Sequence, residues 1–202
     1  MLRRSRDGGS KPRKEMHFFK AYQILKGITT YDLLEDFDGM TKEEFCAEKI
    51  RACRVIVNSL YDDQTRNNDP EFGKILAGTL CALYTVYDDE DSNVWIVADE
   101  SIIKLIKLFT PKYGQLFALN LTRLILGKLS IHLTSVRSLK SALSRFSEVC
   151  HFISPKYIKQ MTEDNEIRDV FMRIVSKSDD ALLVHFILRT QNRYILTYFI
   201  FL

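Results

Sequence analysis

The chain has 202 residues, 46% of them hydrophobic and 27% charged, with a net charge of +3, a balance that excludes disordered and collagen-like chains. Only 8 Gly and 4 Pro punctuate it, too few for the repeated tight turns of a sandwich or barrel, so long helices are expected. The small net charge hides blocks: +6 over residues 1–28, −9 over 29–98, +7 over 99–160 and −1 over the remainder. Such blocks either steer charged partners, nucleic acid included, or face one another inside the fold.

In chain order, residues 1–15 form a basic arm rich in Ser, Gly and Pro, expected to be disordered. Its Arg3, Arg4 and Arg6 suit a nuclear-import address, a phosphate contact or a solubilising tail. The arm lacks the apolar stretch of a secretory signal. A helical domain is expected over 16–190 and an apolar tail over 191–202. That tail ends in YILTYFIFL, about half the length of a membrane-spanning helix.

Within the domain, Thr41-Lys42-Glu43-Glu44 has the form of a capping box. After it, Cys46, Ile50, Cys53, Val57 and Leu60 recur at helical spacing, which predicts a helix ending near Tyr61. Asp69-Pro70, Thr110-Pro111 and Ser154-Pro155 each pair a capping residue with proline, a helix-start signal. The run Ile75 to Tyr87 is apolar on most of its circumference, and a central buried helix is predicted near 72–87. Val94 to Ala98 is read as an extended linker that packs Trp95 onto the core, with Asp99 capping the next helix. Thr110-Pro111 then opens a helix through Leu126, and others are predicted near 135–150, 154–161, 164–176 and 179–190. The expected fold is all-α, a single multi-helix bundle, irregular or HEAT-like. No fixed internal repeat is visible, although the helix pairs would suit a HEAT-like arrangement.

Chemistry-bearing motifs are missing from the sequence: it holds no Gly-rich dinucleotide or phosphate loop, no nucleophile elbow and no zincin pair. The four cysteines, Cys46, Cys53, Cys81 and Cys150, form no C-x-x-C pair, and three lie in apolar helical stretches, which suits a reducing compartment. His17, His132, His151 and His185 are widely separated, and Cys150-His151 has no second ligand pair at zinc spacing. Asp32, Glu35, Asp36 and Asp38, and again Asp88, Asp89, Glu90 and Asp91, are acidic clusters with the character of hydrated turns and without the ligand spacing of an EF-hand. No catalytic residue, metal, cofactor, small-molecule substrate or membrane contact is expected. Candidate contacts for nucleic acid or an acidic partner are the arm and Arg123, Lys128, Arg137, Lys140 and Arg145. Candidate aromatic anchors for a protein partner are Tyr87, Trp95 and Tyr113, against the simpler reading that they are core residues.

Gly78-Thr79-Leu80-Cys81-Ala82-Leu83-Tyr84-Thr85-Val86-Tyr87, the following WIVADESIIKLIKL, residues 118–124 and Ile131-His132-Leu133-Thr134-Ser135-Val136 together resemble a known family. It is the N-terminal domain of subunit 1 of the small nuclear RNA-activating protein complex. The resemblance implies a nuclear, non-catalytic scaffold that joins sister subunits and assists promoter DNA engagement at small nuclear RNA genes. The YILTYFIFL ending departs from that pattern, which casts residues 191–202 as the end of a short paralogue or a truncated, non-native terminus. The alternative is a HEAT-like helical adaptor for protein–protein interaction with no DNA role.

Overall fold

The computed structural model describes residues 16–27, 39–62, 70–130 and 136–149, with Phe152, Ser154, Lys156 and His185 as isolated positions. These residues form helices and their connections, with no strand among them. The basic arm, the expected helices beyond residue 150, the 191–202 tail and residues 131–135 lie outside the description, the isolated positions apart.

Helix α1 (Phe18–Lys26) begins where the ring Nδ1 of His17 accepts from the Lys20 backbone N–H at 3.3 Å and ends at Gly27, whose φ of 63° is the left-handed cap that glycine adopts without strain. Helix α2 (Lys42–Asp62) opens on the expected capping box. Glu44 N–H donates to Thr41 Oγ1 at 3.2 Å, and Thr41 N–H donates to Glu44 Oε2 at 2.8 Å. Its apolar stripe buries Cys46, Cys53, Ile56, Val57 and Leu60. Burial pushes the Cys53 thiol up to about 12, so this cysteine packs as a small neutral hydrophobe.

Helix α3 (Pro70–Val86) starts with its proline in the first helical position, as the Asp69-Pro70 signal predicts. Phe72, Leu76, Leu80, Leu83 and Tyr84 are fully buried, each contributing roughly 1.5–3 kcal/mol of transfer free energy for a large side chain. The helix is nevertheless not wrapped all round. Ile75, counted in the buried run, is 37% exposed, and Lys74 and Thr85 are exposed as well.

Two expectations fail in the next segment. Val94 to Ala98 is helical, not an extended linker, and Asp99 lies inside helix α4 (Ser92–Ser130) instead of capping it. The cap is Asp91, whose Oδ1 accepts from the N–H groups of Asn93 at 2.8 Å and Val94 at 3.4 Å. Once capped there, Val94, Ala98, Ile102, Leu105 and Phe109 continue one buried stripe at helical spacing, and this packing overrides the strand preference of the β-branched residues. Thr110 does not cap forward either: its hydroxyl donates back to the Ile106 carbonyl. The expected break falls slightly later, at Tyr113, where φ −115° and ψ 15° leave the helical region two residues after Pro111.

The bend sets the topology. Tyr87 meets Trp95 at 6.3 Å between ring centroids and Phe72 meets Phe109 at 5.6 Å, so the first arm of α4 runs antiparallel to α3. Beyond Tyr113 the second arm turns back, and Leu116 lies against Gly73 near the start of α3. Helix α5 (Val136–Val149) then packs beside α3 and the first arm, where Ser141 meets Tyr84 and Arg137 meets Trp95. Leu83, Ile102, Leu121, Leu143 and Phe146 are all fully or nearly fully buried in the core these helices enclose.

Candidate interaction surface

The acidic run expected to be a hydrated turn is a structural joint. Asp89 Oδ1 accepts from the Asp91 N–H at 3.0 Å, its other oxygen pairs with Lys49 of α2, and its backbone carbonyl accepts from Arg137 Nη1 of α5 at 3.3 Å. Glu90 pairs with Lys42 at 3.1 Å in full solvent. Lys49 and Asp89 keep only 19% and 13% of their side-chain surface. Burial alone would raise the Asp89 carboxyl, but the hydrogen bond from Lys49, the Asp91 N–H and the charges of Lys49 and Lys42 outweigh it and hold the group below the usual aspartate range. Sequence reasoning missed Lys49 because 40 residues separate it from Asp89 and no local pattern links them.

The aromatic candidates serve this joint and the bend. Tyr87 is buried, 5.8 Å from the Tyr84 ring. Tyr84 in turn shares a 3.2 Å hydrogen bond with Ser141, and burial pushes its phenol up. Trp95 is half-buried under the Arg137 guanidinium, which stands 4.7 Å from its centroid. Tyr113 packs 5.9 Å from Phe72, with the Lys112 ammonium 5.6 Å above its own ring. None of the three is a free anchor protruding into solvent.

The basic candidates differ in what engages them. Arg3, Arg4 and Arg6 lie outside the described residues, as does the side chain of Lys128. Arg137 is committed to Trp95 and Asp89. Arg145 gives one nitrogen to both oxygens of Glu148, at 2.7 and 2.9 Å, while its Nε is buried with no partner among the described residues. Lys140 is half-buried, and Arg123 is exposed on the second arm of α4. Of the candidates whose side chains are described, Arg137 and Arg145 are therefore engaged in contacts within the fold. Among the described residues no group of three or more His, Cys, Asp or Glu side chains is placed to hold a metal ion, and no helix is long and apolar enough to cross a membrane. What the described residues present is helix faces and exposed side chains.

Comparison with known proteins agrees with this character and corrects the family. Residues 83–201 match the family described as Huntingtin, N-terminal HEAT 1. The HD protein homolog of Dictyostelium discoideum is 32% identical over 81 residues, 40% of this chain, and the Huntingtin of Takifugu rubripes is 31% identical over 109 residues, 54% of it. The chain spans 3% of the length of each of these relatives. No solved structure matches. The resemblance to subunit 1 of the small nuclear RNA-activating protein complex is therefore overturned, and with it the promoter-scaffold function. The nuclear setting it implied stands without that support. Its physical basis is plain in the fold: Leu80, Leu83, Tyr84 and Tyr87 are buried and Gly78 lies under Tyr22, so the pattern reports helix packing that unrelated helical proteins share. The match covers more than half of the chain, and the chain belongs to the huntingtin N-terminal HEAT family.

Proposed function

We propose that the chain acts as a non-catalytic, HEAT-like adaptor that binds other proteins through its helix faces and has no DNA role. The observation that carries this reading is the family match over residues 83–201, joined to antiparallel helix packing of the kind that stacks into extended binding surfaces. The engagement of Arg137 by Trp95 and the Asp89 carbonyl, and of Arg145 by Glu148, supports this reading, because duplex binding draws on several free cations at once. Affinity purification of the full chain with and without nuclease tests it. Protein partners that survive nuclease treatment are the expected result. Recovery of partners only while nucleic acid is intact would overturn the reading.

A further inference from the structure

One face of α3 is crossed by two helices and stays partly exposed between them, as far as the described residues go. Tyr22 of α1 lies on Gly78, its hydroxyl 3.2 Å from where a Cβ would stand, and Leu116 of the second arm of α4 lies on Gly73 at 3.3 Å. At about 100° per residue, Cys81 projects about 60° from Gly78 on the side toward Gly73, so it points into the gap, with Ala77 beside it. Ala77, Gly78 and Cys81 are all half-buried, the state of a floor that solvent still reaches.

Two cations from different helices flank that floor. Lys26 is the last residue of α1, one turn beyond Tyr22, and Arg123 lies two turns beyond Leu116 on α4. Both are exposed, and neither forms an ion pair with another described residue. Both are near enough to act on the Cys81 thiol: burial pushes it up, and the charges of Lys26 and Arg123 pull against that. Lys74, on the same side of α3, is already paired with Glu71 at 2.6 Å.

We propose that the gap between α1 and the second arm of α4 receives an acidic segment of a partner protein, one carboxylate sitting between Lys26 and Arg123 over Ala77, Gly78 and Cys81. The site deepens the adaptor reading and rests on it. Charge decides the occupant's sign, since two exposed cations over a floor of Ala77, Gly78 and Cys81, none of them acidic, favour an anion. The floor decides its class. Two cations over small, weakly polar residues suit a single carboxylate flanked by side chains, whereas a nucleic acid strand needs a longer run of cations.

Cys81 reports occupancy directly. The full chain is treated with N-ethylmaleimide, with and without a synthetic peptide of alternating Glu and Leu, and modification at each cysteine is followed by mass spectrometry. The peptide is expected to slow modification of Cys81 by about fivefold, the scale that two solvent-exposed ion pairs allow, without changing Cys46 or Cys53. Lys26→Glu with Arg123→Glu should abolish the protection. The neutral pair Lys26→Gln with Arg123→Gln, which risks less for the fold, should remove most of it. Unchanged Cys81 labelling, protection that survives both double variants, or equal protection by a single-stranded oligonucleotide would each overturn the proposal. The adaptor reading fails separately, through nuclease-sensitive partner recovery.

Discussion

The guanidinium of Arg137 on α5 stands 4.7 Å above the centre of the Trp95 indole on α4 and donates to the Asp89 carbonyl at 3.3 Å. Arg137 belongs to the basic block of the sequence and Asp89 to the acidic one, so at this point the two blocks meet inside the fold. The contact closes a joint in which α2, the α3–α4 turn and α5 share a few side chains. A cation over an aromatic face contributes about 0.5–1 kcal/mol where solvent has access, and a charged hydrogen bond adds to it.

Arg137→Ala should therefore lower stability by about 1–2 kcal/mol, measured as a shift in the urea midpoint. Arg137→Lys should recover only part of that loss, because an ammonium cannot both lie flat on the indole and reach the carbonyl. Full recovery by lysine would mean that charge alone matters at this position.

The Asp89–Lys49 pair predicts an acid-sensitive stability. Asp89 is held below its ordinary value in the folded state, so its contribution is complete above the unfolded carboxyl range near pH 4 and is lost as pH falls through the lower folded value. Asp89→Asn should cost about 1–3 kcal/mol at neutral pH, because Lys49 keeps little solvent of its own. Urea unfolding of both proteins between neutral and strongly acidic pH should show the difference shrinking on acidification. A gap that stays constant with pH would remove the ion pair from the account.

At the α4 bend, glycine is required by contact and not by backbone angle. A Cβ on Gly114 would stand 2.7 Å from both Cβ and Cγ of Phe152; side-chain rotation can carry Cγ away but leaves Cβ where it is. Gly→Ala inside a helix ordinarily gains up to about 1 kcal/mol, whereas overpacking costs about 1–3 kcal/mol, and a contact this short favours the cost. Gly114→Ala should be destabilising in thermal unfolding, and adding Phe152→Gly, which removes both the Cβ and the Cγ, should return most of the loss specific to the clash. If the two changes simply add, the contact with Phe152 is not the cause.

Local chemistry made some of this legible in the sequence. The Thr41–Glu44 capping box, Pro70 at the head of α3 and the Cys46–Leu60 stripe each depend on neighbours within one or two turns, and each appears as expected. The reading of Val94–Ala98 failed because a short β-branched run has the same composition in a strand and in a buried helix, and the choice was made by the Asp91 cap and by packing along the rest of α4. The joint and the α3 gap were out of reach for a different reason. Lys49 with Asp89, and Lys26 with Cys81 and Arg123, are brought together only by chain reversals that no local pattern encodes. The family resemblance erred in the same way, since it rested on residues whose shared property is burial.

Thr79 provides the last test, because its surroundings contradict its chemistry. Thr85, Thr110 and Thr122 each return their hydroxyl to the carbonyl four residues earlier, as helical threonines often do. Thr79 is 0% exposed in the middle of α3, and its Oγ1 has no partner among the described residues. A hydroxyl taken from water without a replacement bond costs about 1–3 kcal/mol by mutational measures. Valine has nearly the same shape, and its β-branch makes a similar demand on the helix. Thr79→Val should accordingly raise the urea midpoint by an amount equivalent to about 1 kcal/mol or more, while Thr122→Val, which loses a made hydrogen bond, should not. Destabilisation by Thr79→Val would show that the hydroxyl is satisfied in solution.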